Sequence, residues 1–185
     1  IMGAVVPAGV ADGDYDVIVT SPAGSNALSS VKLSVYAPNT APFLAWTGEA
    51  GYTSGGVSPG TGTPGTYVFR VRYSDADNDA PLPGNPRLWV SKGGVALAGS
   101  PFSMAGAGGT DYVNGLVYEY NLALSEGSDY SYQFGSFDAN SIQATGDPTI
   151  EVINSPVVLP ANTPPTLTYT GEQGYADSGV APGTG

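Results

Sequence analysis

The chain has 185 residues, with 16 Asp and Glu against 5 Lys and Arg, a formal charge of -11, and neither His nor Cys. That inventory removes zinc ligation by His or Cys, Ser-His-Asp and Cys-His catalysis, haem ligation through those side chains and disulfide exchange. Its acidity argues against nucleic acid or an anionic membrane surface as a partner.

Hydrophobic residues make up 41% of the chain and Tyr alone numbers 12, so enough apolar surface exists to offset chain entropy and the chain is expected to fold. Only 11% of residues are charged, against 27 Gly and 16 Pro, a balance associated with secreted and cell-surface bacterial proteins. No run of about 18 apolar residues occurs, and no membrane span is expected.

Residues 1–38 contain short β-type runs punctuated by turn signals at Asp12-Gly13 and Pro22-Ala23-Gly24. The stretch VPAGVADGDYDVIVTSPAG, followed by a last strand at Val31 to Val35, resembles the C-terminal half of an IPT/TIG domain. The resemblance implies an immunoglobulin-like module of a cell-surface protein.

Residues 39–161 read as one complete unit. Tyr67, Phe69, Val71 and Tyr73 alternate with Val68, Arg70 and Arg72, the period-2 pattern of a half-buried strand. Leu88 to Val90 and Val95 to Leu97 flank Gly93-Gly94, which predicts a hairpin. Leu116, Tyr118, Tyr120 and Leu122 form a further alternating face, as do Tyr130, Tyr132 and Phe134, and Ile150 with Val152 is expected to close the unit. No stretch carries a sustained helical period. The expected fold class is all-β, with tandem immunoglobulin-like β-sandwich domains joined by short Pro-containing linkers at 37–42 and 159–165.

The tandem reading comes from an internal repeat. Residues 39–62, NTAPFLAWTGEAGYTSGGVSPGTG, and residues 162–185, NTPPTLTYTGEQGYADSGVAPGTG, match without a gap at an offset of 123, with 15 of 24 positions identical. That spacing is too long for a solenoid unit and suits one sandwich domain. Residues 162–185 are therefore expected to be the first segment of another copy.

In LSEGSDYSYQF, Leu124 precedes Gly127 by three and Tyr130 by six, which resembles the tyrosine corner of fibronectin type III domains. The resemblance implies that Tyr130 folds its hydroxyl back onto the backbone of the preceding connection.

The densest charge cluster is YSDADNDAP, where Asp75, Asp77 and Asp79 sit at alternate positions directly after a strand. Hard carboxylate oxygens in a turn suit calcium, with Asn78, Glu49 or a carbonyl to complete the shell; the competing reading is a solvated turn at a strand end. The cluster resembles the acidic loops of cadherin-like repeats, which implies calcium at a domain junction. Glu49 and Glu172 occupy equal places in the repeated TGExGY segment, and Glu49 with one of the Asp residues is the one obvious carboxyl pair for glycoside hydrolysis. Recurrence in both copies favours a structural role, and no enzyme activity is expected. Trp46, Trp89 and Tyr52 are candidates to stack on a glycan; the competing reading, favoured by the alignment of Trp46 with Tyr169 and of Tyr52 with Tyr175 across the repeat, is packing in the core or beside the linker. The expected function is a self-associating structural repeat of an extracellular filament, sheath or surface layer, its partners being copies of itself or neighbouring domains, with each end expected either to continue into a longer chain or to be completed by strand addition from a neighbour. An adhesin stalk or glycan-binding module is the alternative.

Overall fold

The computed structural model describes residues 9–18, 20–25, 32–52 and 55–168. Val31, Glu172, Tyr175 and the remainder of the second repeat copy from 169 onward lie outside the described residues.

The described chain is built of short and long strands. In order these are β1 (Gly13–Tyr15), β2 (Thr20–Ser21), β3 (Gly24–Ser25), β4 (Leu33–Val35), β5 (Phe43–Ala45), β6 (Val57–Ser58), β7 (Thr61–Gly62) and β8 (Gly65–Ser74). They continue as β9 (Arg87–Lys92), β10 (Val95–Ala96), β11 (Phe102–Ser103), β12 (Ala105–Gly106), β13 (Leu116–Leu124), β14 (Tyr130–Gly135) and β15 (Val157–Val158), with one helical turn, α1 (Asp147–Ile150), before β15. Near the N-terminus β1 pairs antiparallel with β4, and β2 with β3 across Pro22-Ala23.

Two larger sheets supply one core. The first runs β12-β13-β8-β5, with β6 also on β8, and the second runs β10-β9-β11, with β14 also on β9. Alternation explains why they meet. On β8 the side chains of Tyr67, Phe69, Val71 and Tyr73 are buried, while Arg70 and Arg72 point outward. On β9 and β14 the buried residues are Leu88, Val90, Tyr130, Tyr132 and Phe134. Phe69 meets Tyr132 edge-on at 5.1 Å between ring centroids, and Tyr132 meets Phe134 at 5.6 Å, the geometry that ring quadrupoles favour. The β9–β10 hairpin pairs Lys92 with Val95 across Gly93-Gly94, both with positive φ (58° and 77°), as its two-residue turn requires.

The Gly-rich segment of the repeat has a packing reason. Gly56 accepts the Arg70 amide at 2.6 Å, and a Cβ there would run into the Arg70 carbonyl and the Phe134 ring. Only a bare backbone lets β6 settle on β8.

One strand expectation is corrected. Ile150 and Val152 do not close the unit: Pro148 opens the helical turn α1, and both residues are exposed. The closing strand is β15, which runs parallel to β7 and buries Val158. A turn that begins with Asp-Pro satisfies its own backbone locally and leaves no ladder for Ile150 to join.

Candidate metal centre

Asp75 follows β8 directly and heads a tight turn. Its backbone carbonyl accepts the Asn78 amide at 3.1 Å, and its Oδ1 accepts the amides of Asp77 (2.9 Å) and Asp79 (3.1 Å). Asn78 adopts a left-handed conformation (φ 62°), which Asn tolerates. The turn curls the carboxylate inward, so Asp75 is only 2% exposed, and its Oδ2 has no hydrogen-bond partner.

The second contribution comes from the loop after β14. Asp138 is fully buried (0%); its Oδ1 accepts the Ile142 amide at 2.7 Å and its Oδ2 accepts Asn39 Nδ2 at 2.6 Å. Asp75, Asp79 and Asp138 each bring a carboxylate oxygen to one place, all within 4.8 Å of one another. Oxygens around a calcium ion at about 2.3 to 2.6 Å span distances of up to about 5 Å, so the cluster has the right size. None of the ion pairs among the described residues involves these three acids. Buried carboxylates without a countercharge are costly. The local field shows on Tyr73: burial first, then the negative charges of Asp75 and Asp138, hold its hydroxyl pKa well above the usual phenol value.

Two further polar contacts tie residues 39 and 40 to this region. Asn140 Nδ2 donates to Asp79 Oδ2 at 2.6 Å and reaches Asn39 Oδ1 at 3.3 Å. The Thr40 amide donates to Asp77 Oδ2 at 2.6 Å. Asp77 therefore faces Thr40 and stands apart from the trio, where Asp138 takes the third place. Asn78 is committed to the Tyr112 amide (2.8 Å) and Glu49 to Arg70, so neither belongs to this cluster. Sequence reasoning missed Asp138, which is 63 positions from Asp75; the one available signal is that both follow a strand of alternating buried aromatics.

The remaining candidates are placed as follows. Arg70 Nη1 donates to Glu49 Oε2 at 2.9 Å, its Nε and Nη2 donate to Glu119 Oε2 at 3.1 and 3.0 Å, and the guanidinium lies over the Tyr52 ring at 5.0 Å. The TGExGY segment thus clamps an outward arginine of β8 between a carboxylate and an aromatic face. Trp46 packs edge-on to Phe134 at 6.0 Å, whereas Trp89 stands 39% exposed on the outer face of β9.

Tyr130 opens β14 and donates its hydroxyl to the Ser125 carbonyl at 2.9 Å, while Leu124 is buried at the end of β13. Gly127 and Val158 exchange both backbone hydrogen bonds, at 2.9 and 2.8 Å. A side chain on Gly127 would displace the end of Lys92, whose ammonium lies 5.0 Å from the Tyr130 ring centre. Removing only the hydroxyl, Tyr130→Phe, is expected to cost about 1 kcal/mol, the typical net value of one hydrogen bond, measured by urea unfolding with an unchanged m-value. No loss would mean that the ring alone holds this corner.

No described protein family matches the chain, and no curated protein matches it. Among the described residues, no helix is long and apolar enough to cross a membrane.

Proposed function

We propose that the chain is a non-catalytic spacer from a tandem array of immunoglobulin-like sandwiches on a bacterial surface or in an extracellular filament, with joints set by a calcium ion at Asp75, Asp79 and Asp138. The observation that carries this reading is the unpartnered, buried Asp75 Oδ2 at the point where the linker residues Asn39 and Thr40 dock. The 123-residue repeat supports the array. The Pro-bearing linkers support extension, because proline fixes φ and biases its neighbours away from helix.

The ion's role is electrostatic. Three converging carboxylates repel one another, and a divalent cation turns that repulsion into attraction between the turn after β8 and the loop after β14. Because Asn39 donates to Asp138 and the Thr40 amide to Asp77, ordering the cluster orders the linker. Carboxylate and amide oxygens are hard ligands that suit calcium in irregular geometry.

Hydrogen exchange on the full 185-residue chain tests it. Peptides covering 36–45 are expected to exchange at least tenfold more slowly in millimolar calcium chloride than in EDTA, with the hairpin at 88–97 unaffected. Equal exchange under both conditions would remove the calcium joint and leave a plain acidic turn.

A further inference from the structure

Trp89 is the one candidate aromatic that the fold turns outward. It sits on β9 directly opposite Gln133 of β14, with Ser91 opposite Ser131 beside it. Its six-membered ring lies across Gly135, where any Cβ would press on the indole at 2.9 Å. The glycine therefore leaves room for the ring to rest against the sheet.

Two shallow hollows of about 230 Å³ each adjoin the indole. One is shared with Gln133, Gln143, Thr149 and the edge of Phe134, the other with Gln133, Ser91, Ser131 and the exposed Val152. No charged side chain lines either hollow. Gln133 is fixed by donating its Nε2 to the Thr149 carbonyl at 2.6 Å, which leaves its amide oxygen as an oriented acceptor. Gln143 adds a second amide to one hollow, and Ser91 and Ser131 add two hydroxyls to the other.

We infer that Trp89, with Gln133 between two hollows, is a binding platform for a neutral polysaccharide chain. An indole face takes the C–H face of a pyranose ring, while amides and hydroxyls, each able to donate and accept, match sugar hydroxyls. The chemistry of the rim selects among occupants. A protein partner would meet a contiguous apolar centre, whereas the apolar lining here, Phe134 on one side of Trp89 and Val152 on the other, is interrupted by Gln133, whose amide lies in both hollows. An anionic glycan is repelled by a chain of charge -11, and a cationic peptide finds no carboxylate in the hollows. Two hollows sharing one indole suit successive sugars of a chain better than a single sugar. This site is separate from the acidic cluster, and each stands or falls alone.

The test is retention of the full chain on insoluble cellulose, chitin and β-1,3-glucan, with alginate as the anionic comparison. At least one neutral polymer is expected to retain the protein, with alginate not doing so. Trp89→Ala should lower the apparent affinity at least tenfold and Gln133→Ala about threefold, while Trp89→Tyr restores part of it, each with an unfolding midpoint close to that of the parent. Absence of retention on every neutral polymer overturns the inference. So does equal retention of Trp89→Ala, or a change in sedimentation with Trp89→Ala and none in retention, which would make this face a contact between copies.

Discussion

Millimolar calcium is expected to raise the thermal midpoint of the chain by about 10 °C over its value in EDTA, and Asp75→Asn to abolish the rise. A ligand at a hundredfold excess over its dissociation constant stabilises the native state by about 2.7 kcal/mol, and a domain of this size gains roughly 3 to 6 °C per kcal/mol. The informative feature is a reversal of rank. Asparagine keeps the oxygen that caps the Asp77 and Asp79 amides, so the local turn survives. It also removes a buried charge whose other oxygen is unpartnered. In EDTA the variant should therefore be as stable as the parent or more so, because the parent bears the desolvation cost without compensation. In calcium the order inverts, since the parent gains the ion and the variant does not. Calorimetry of both proteins in both buffers settles the matter. If neither midpoint responds to calcium, the three carboxylates are a structural turn and nothing more.

Phe69→Ala is expected to destabilise the chain by about 3 to 5 kcal/mol, the largest single effect of a side-chain truncation here. Phe69 is fully buried at the centre of β8, edge-on to Tyr132 and paired on its flanks with Tyr120 of β13 and Val57 of β6. Its neighbours belong to elements that are fixed by their own ladders, so the cavity cannot close by a shift of one side chain. Denaturant unfolding followed by near-UV circular dichroism reports the loss. Val95→Ala, on the exposed β10, is the control and should stay within about 0.5 kcal/mol. A Phe69→Ala cost below about 1.5 kcal/mol would mean that the two sheets do not share a close-packed core.

Much of this architecture was legible before any coordinates, and the reason is periodicity. Tyr67 through Tyr73 and Tyr130 through Phe134 alternate so strictly that only an extended chain puts their rings on one side, and both sets are buried. The Gly93-Gly94 hairpin was equally legible, because two positive φ values in succession need glycine. Ile150 and Val152 misled because β-branched residues raise strand expectation, while the Asp147-Pro148 start of a helical turn acts over a shorter range and prevails.

The candidate site divides along the same line. Asp75 and Asp79 lie in one acidic run and could be read from spacing, but alternate spacing along a chain does not say which carboxylates face each other once the chain turns. The Asx-type turn directs Asp75 inward and leaves Asp77 to meet Thr40, a choice made by backbone geometry. Likewise, packing is the favoured sequence reading for all three aromatics, and the fold bears it out for Tyr52, beneath Arg70, and Trp46, against Phe134, while Trp89 faces solvent.

Composition, the 123-residue repeat and the alternating faces determined by themselves that this is an acidic all-β chain with recurring segments, since each is a local property of the residues or their order. The meeting of Asp138 with Asp75 and Asp79, the docking of Asn39 on that trio and the outward placement of Trp89 were decided only by tertiary structure. These depend on how two sheets lie against each other, and packing brings together residues between which no pattern along the chain exists.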